Sequence, residues 1–221
     1  MTLRALLFDL DGTLIHSDPL HFEAFRTVSA KHGVDFDEDY FSRQMSGHTN
    51  AQICATLFPA LTIEQHQQIA DEKEALFRSF LADRAVAIPG IVSATDWALA
   101  HNLRLAVVSN APSANIAAVV KALGLDGRFS VEICGGMVPR GKPDPMPYQA
   151  ALDRLLLSAG EAVAFEDTPL GIRAAVGAGI ATVGLTTTQS APSLVEVGAS
   201  LVIGDYHDPL LLPFLNDRRA A

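Results

Sequence analysis

The feature that most constrains this chain is a short apolar run, Leu6-Leu7-Phe8, that empties into Asp9-Leu10-Asp11-Gly12-Thr13. Such a run, bounded by a turn signal, reads as a buried strand ending in a tight polar turn. Side chains alternate along a strand, so Asp9 and Asp11 leave it pointing the same way, as a pair. The same pattern recurs twice. A strand over 103–109 runs into Ser109-Asn110, and Ala162–Phe165 runs into Glu166-Asp167. Helical stretches at Ile91–Ala100, Ser113–Leu123, Pro145–Leu156 and Leu170–Ala178 lie between short strands that include Val131–Cys134, Ala181–Gly184 and Leu201–Ile203. Alternation of this kind predicts a parallel sheet wound on both faces by helices.

One span breaks the alternation. Residues 18–85 carry helical patterns only: Pro19–His32 up to Gly33, Phe36–Met45, Asn50–Phe58, and a long one from Thr62 through Leu81. Ile69, Lys73, Leu76, Phe77 and Phe80 mark one side of the long helix. Pro89-Gly90 punctuates the return to alternation. The expected architecture is α/β: a Rossmann-like, doubly wound parallel core from 1–17 and 86–221, interrupted by an all-α insertion over 18–85.

The 221 residues, 49% hydrophobic and 19% charged, suffice for one good-sized core with a smaller inserted domain. A formal net charge of −9 argues against nucleic-acid binding. It also means that an anionic ligand needs a local cation or a metal. No stretch approaches the roughly 18 consecutive apolar residues of a membrane span, and the start of the chain lacks the regions of a signal peptide. Cys54 and Cys134 are far apart and have no metal-ligand spacing. They read as reduced, buried small hydrophobes. A cytoplasmic monomer is the expectation.

Four places carry chemistry. Two neighbouring carboxylates at 9 and 11 need a cation or a shared proton. Such a pair can divide group transfer, one attacking while the other, protonated, serves the leaving group. The bland alternative is an Asp-Gly turn beside an incidental Asp. Ser109, between a strand end and a helix start, suits an anion or simply caps the helix. Lys142, in Gly141-Lys142-Pro143-Asp144-Pro145, either balances the carboxylates and binds phosphate or is solvated. Glu166 and Asp167 offer hard oxygen ligands suited to Mg²⁺. Asp167, just before Thr168-Pro169, also fits a helix N-cap.

Taken together, Asp9/Asp11, Ser109, Lys142 and Glu166/Asp167, in order at or beyond strand ends, resemble the haloacid dehalogenase superfamily over nearly the whole chain. The insertion resembles its small helical cap type, the group of phosphoglycolate phosphatases, sugar-phosphate phosphatases and β-phosphoglucomutase. The resemblance implies Asp9 as the nucleophile that forms an aspartyl-phosphate. Asp11 would protonate the leaving oxygen and then activate water. Mg²⁺ would be held by the Asp9 carboxylate, the Asp11 carbonyl and Asp167, with Glu166 assisting directly or through water. Ser109, with Asn110 beside it, and Lys142 would bind the phosphoryl group.

The loop Ser46-Gly47-His48-Thr49-Asn50 matches the position of the cap's specificity loop, and Lys73 that of a substrate-facing lysine. Gly47, His48, Asn50 and Lys73 are therefore candidate substrate contacts, with solvated surface residues as the alternative for His48 and Lys73. Dehalogenases and phosphonatases of this kind lack an acid at position 11, so Asp11 points to phosphate esters. The implied activity is a Mg²⁺-dependent phosphatase of a small phosphorylated metabolite, a sugar phosphate or phosphoglycolate. The alternative is a phosphomutase, although the loop lacks the arginine usual in that branch. His21 is expected to order the first cap helix or Asp11. Glu74 and Arg78 read as a helix-face ion pair, Trp97 as core, and Arg218-Arg219 as a solvated tail.

Overall fold

The computed structural model describes residues 2–45 and 48–220. They divide into two compact units, Met1–His16 with Val86–Ala221, and Ser17–Ala85. Among the described residues no helix is long and apolar enough to cross a membrane.

The first unit is built on a six-stranded parallel sheet: β1 (Ala5–Phe8), β2 (Arg104–Val108), β3 (Val131–Ile133), β4 (Ala162–Glu166), β5 (Ala181–Leu185) and β6 (Leu201–Ile203). Its order is β3-β2-β1-β4-β5-β6. β1 and β4 are buried along their whole length, which is why their sequences are continuous rather than alternating apolar runs. Strand order reverses at the junction of β1 and β4, and the carboxyl ends there form the crevice where sheets of this type take ligands. Register sets Phe8 against Phe165, with rings stacked 4.8 Å apart. Tyr206 packs on both rings and donates its hydroxyl to the Thr13 carbonyl at 3.2 Å. The floor of the crevice is therefore rigid.

The helical unit holds α1 (Asp18–Ala30), α2 (Glu38–Gln44), α3 (Asn50–Leu57) and α4 (Ile63–Arg84). Phe25, Val28, Phe41, Met45, Ile53, Cys54, Phe58 and Ile69 form its core. Capping boxes Thr49/Gln52 and Thr62/Gln65 start α3 and α4. The core unit continues with α5 (Ile91–Ala100), α6 (Ser113–Ala122), α7 (Met146–Leu155), α8 (Pro169–Gly177), α9 (Ala191–Glu196) and α10 (Leu211–Ala220). Both cysteines are buried free thiols, and burial pushes that of Cys54 up to about 11.

Four local expectations are corrected. Arg218 and Arg219 are not a tail. They end α10, which buries Leu211 and Leu215. Arg218 lies 3.6 Å from the Phe214 ring centre and its carbonyl accepts from Leu3 N–H at 2.8 Å. The near-continuous apolar run Leu210–Leu215, interrupted by Pro213, hid this helix, because proline in a first turn costs no helical hydrogen bond. Trp97 is only half-buried, set between His101 and Arg219 at the edge of α5. Glu74 turns inward on α4 instead of lining its surface with Arg78. Its Oε1 accepts from Lys73 at 2.9 Å and from Asn50 Nδ2 at 2.6 Å. Lys73 is likewise buried rather than solvated, 2.8 Å from Nδ1 of His21 and above the Phe25 ring. His21 stacks on Phe77 at 3.9 Å and so ties α1 to α4.

Candidate active site

The site is assembled where β1 and β4 end side by side. The ladder runs one residue past β1, with Asp9 N–H donating to the Phe165 carbonyl at 3.0 Å. The same register brings Asp9 level with Glu166, and Asp167 follows at the tip of β4. All three carboxylates are buried. Thr168, not Asp167, caps α8, its hydroxyl accepting from Gly171 N–H at 3.1 Å. That corrects the N-cap reading and leaves Asp167 to the site.

Lys142 arrives from the loop between β3 and α7. Its ammonium donates to Asp9 Oδ1 at 2.6 Å and to Glu166 Oε1 at 2.5 Å. Its side chain is only 6% exposed, so the solvated reading is corrected. Asn110, expected to touch substrate, spends its amide on this loop: Oδ1 accepts Lys142 N–H at 3.0 Å and Nδ2 donates to the Lys142 carbonyl at 3.3 Å. Ser109 is buried at the end of β2. Its Oγ accepts from Ala111 N–H at 3.0 Å, and α6 begins four residues later without it. The helix-cap reading of Ser109 is therefore also set aside.

Asp11 stands half-exposed in the turn after Asp9, where Gly12 N–H donates to the Ile15 carbonyl at 2.8 Å. Gly12 has a positive φ of 74°, and a Cβ there would strike the Asp167 carboxylate. Only glycine lets the turn close so tightly over that acid. Gly171 has the same relation to Glu166.

Charge is concentrated here. Burial, with Glu166 and Asp11 beside it, outweighs the pull of Lys142 and raises Asp9 to about 7. Burial works against the Lys142 ammonium, but Asp9 and Glu166 overcome it and hold the group protonated. Carboxylate oxygens of Asp9, Glu166 and Asp167 come within 4.8 Å of one another, with one ammonium among them. Buried hard oxygen donors with this excess of negative charge fit Mg²⁺.

Three residues of the site escaped the sequence reading. Tyr148 on α7 donates to Glu166 Oε1 at 2.6 Å. Thr187 donates to the Gly12 carbonyl at 2.6 Å, and Thr188 to Asp167 Oδ2 at 2.5 Å. The threonines did carry a signal: Thr186-Thr187-Thr188 is a polar cluster just beyond the tip of β5, the same pattern as the other sites. Tyr148 carried none, since an aromatic on an amphipathic helix reads as core. Among the residues predicted in the helical unit, Asn50 and Lys73 converge on Glu74. His48 is exposed, with its N–H donating to the Met45 carbonyl at 3.0 Å. Gly47 lies outside the described residues.

Residues 3–179 match the family model of haloacid dehalogenase-like hydrolases, and the chain belongs to that family. Among its relatives, a phosphorylated carbohydrates phosphatase of Thermotoga maritima is 30% identical, over 91% of this chain and 94% of that one. A validoxylamine A 7'-phosphate phosphatase of Streptomyces hygroscopicus subsp. limoneus is 32% identical over 90% and 92%. The solved structure of CbbY from Rhodobacter sphaeroides, in complex with phosphate, superposes with a TM-score of 0.84 at 28% identity, covering 94% of this chain and 96% of that one. The chain is an enzyme of the phosphoric monoester hydrolase class.

Proposed function

We propose that this protein is a Mg²⁺-dependent phosphatase of a small phosphorylated metabolite, a phosphorylated carbohydrate or phosphoglycolate, acting through an aspartyl-phosphate. The observation that carries the reading is the Lys142 ammonium bridging Asp9 and Glu166 beside Asp167, at the carboxyl ends of β1 and β4. Phosphoryl transfer asks mainly for positioning and charge neutralisation, and this arrangement offers both.

In the first step Asp9 attacks phosphorus; its oxygen–phosphorus bond forms as the ester bond breaks. Asp11, the less buried of the pair, gives its proton to the departing alcohol oxygen and then takes one from the water that opens the acyl phosphate. Lys142 offsets the charge of Asp9 and of the phosphoryl oxygens. With its Oγ lone pair taken by Ala111, the Ser109 hydroxyl directs its proton outward to a phosphoryl oxygen. Asp9 and Asp167 would hold Mg²⁺, with the Asp11 carbonyl, and Glu166 directly or through water. When bound, the ion supplies positive charge to the nucleophile and the phosphoryl oxygens.

Substrate choice is assigned to the helical unit. A polar cluster, buried Lys73 and Glu74 with half-buried His21 and Asn50, beside an otherwise apolar helical core supports this, as do relatives named for phosphorylated carbohydrates and a validoxylamine phosphate. His48 and Gly47 complete the candidate set.

The test is ³¹P NMR of the protein with Mg²⁺ and a panel of phosphate esters, including β-glucose 1-phosphate with a trace of glucose bisphosphate. Free phosphate should appear from at least one ester and vanish in a folded Asp9→Asn variant, a loss of about a thousandfold or more. A new ester signal without free phosphate would make the enzyme a mutase. Silence across the panel would overturn the reading.

A further inference from the structure

Glu166 Oε1 accepts two hydrogen bonds at once, one from Lys142 and one from Tyr148. Glu166 is 1% exposed, so water cannot make good a lost donor. Its other oxygen lies against Gly171, where even a Cβ would not fit. The carboxylate is thus held between a glycine wall and a phenol. Tyr148 itself is fully buried, packed with Ala151, Leu152 and Leu155 of α7 against Leu7, Val108 and Ala164 of the sheet. Its hydroxyl therefore sits at a fixed point. The Lys142 ammonium also lies 5.2 Å from the centre of the Tyr148 ring, so one side chain touches both members of the ion pair. Burial and the nearby carboxylates push the phenol well above its ordinary value, which keeps it a donor at neutral pH.

We propose that Tyr148 is a positioning residue: its hydroxyl fixes Glu166, and Glu166 in turn fixes Lys142 where the ammonium meets both Asp9 and the incoming phosphoryl group. The inference rests on the phosphatase reading for the purpose of Lys142, but the chain of contacts stands on its own geometry. Without the hydroxyl, Glu166 loses one of two donors to Oε1 and turns about its last torsion. Lys142 then keeps only one rigid anchor, Asp9.

A double-mutant cycle with Tyr148→Phe and Glu166→Gln tests it, because a residue acting through another loses its effect when that other is removed. Two quantities are followed with Mg²⁺ present: affinity for inorganic phosphate by calorimetry, and kcat on p-nitrophenyl phosphate. Tyr148→Phe keeps the ring. It should weaken phosphate binding about fivefold and lower kcat about tenfold, the range for residues that orient a site from behind. In the Glu166→Gln background the same change should cost less than about twofold in each. No effect of Tyr148→Phe, or an equal loss in both backgrounds, overturns the proposal. So does a failure to fold, which would make the hydroxyl a requirement of the core rather than of the site. A wild-type protein that binds phosphate yet turns over no ester would sink the phosphatase reading, while the binding cycle still decides this one. No phosphate binding by the wild type overturns both.

Discussion

Lys142 is a single ammonium facing Asp9, Glu166 and Asp167, and most other residues of the site serve to hold these four groups. Asn110 holds the lysine loop by both ends of one peptide unit, and Thr188 holds the outer acid. Thr188 shows how much such supports matter. With its hydroxyl gone, Asp167 loses a short bond to Oδ2 and a second contact to its carbonyl. Thr188→Val, nearly isosteric, should weaken Mg²⁺ binding about tenfold with little change in melting temperature. Calorimetric titration with MgCl₂ reads this directly, and an unchanged dissociation constant would remove Thr188 from the metal's support.

At the level of elements, the helical unit carries a costly feature, the ion pair that α4 buries against α1 and α3. Lys73 is 2% and Glu74 6% exposed. Removing one partner of such a pair leaves an uncompensated charge, so Glu74→Ala should cost about 3–5 kcal/mol in urea unfolding. The pair also sets a pH dependence. Burial pushes the Glu74 carboxyl up, but Lys73, His21 and the bonds from Asn50 and Lys73 outweigh it and hold it below the ordinary carboxylate value. A depressed carboxyl lends stability that is fully present above its unfolded value, near 4.5, and is lost as pH falls through the folded one. Melting temperature should therefore drop on acidification below about pH 4.5 more steeply in the wild type than in Glu74→Gln. Parallel slopes would show that Glu74 does not couple to protons.

For the molecule as a whole, the acidic cluster proposed to hold Mg²⁺ would act as a linkage device. Three buried carboxylates against one ammonium leave net repulsion in a chain that already carries −9. A divalent cation that binds only the folded state stabilises it by about 2.7 kcal/mol at a hundred times its dissociation constant. MgCl₂ should raise the melting temperature of the wild type, and leave that of Asp167→Asn unmoved at equal ionic strength. Equal shifts in both would mean that the ion acts elsewhere.

What is legible in the amino-acid sequence is local. β1 and β4 are legible because a strand buried on both faces must be continuously apolar, and the polar residues at their tips stand out by contrast. The all-helical span is legible because helical periodicity repeats within a few residues. Asp9, Glu166 and Asp167 were singled out by that contrast, and Lys142 as a cation between a glycine and a proline, all four by their order along the chain. The helix α10 was missed because its apolar face and a first-turn proline blur the period. Glu74 was misplaced because i,i+4 spacing says which residues are neighbours on one helix, not which face a second helix covers.

The sequence by itself determined most of the elements, the polar tips of the strands and the two-part organisation of the chain, since each follows from spacing within one segment. Only the tertiary structure decided that β1 lies beside β4, so that Asp9 meets Glu166. It also decided that Lys142 reaches both acids, that Tyr148 and Thr188 brace the cluster, and that Lys73 is buried with Glu74. Those contacts join residues from different segments, and depend on strand order and on the depth to which each helix packs. No local pattern encodes either, because both are settled by the burial of the whole core at once.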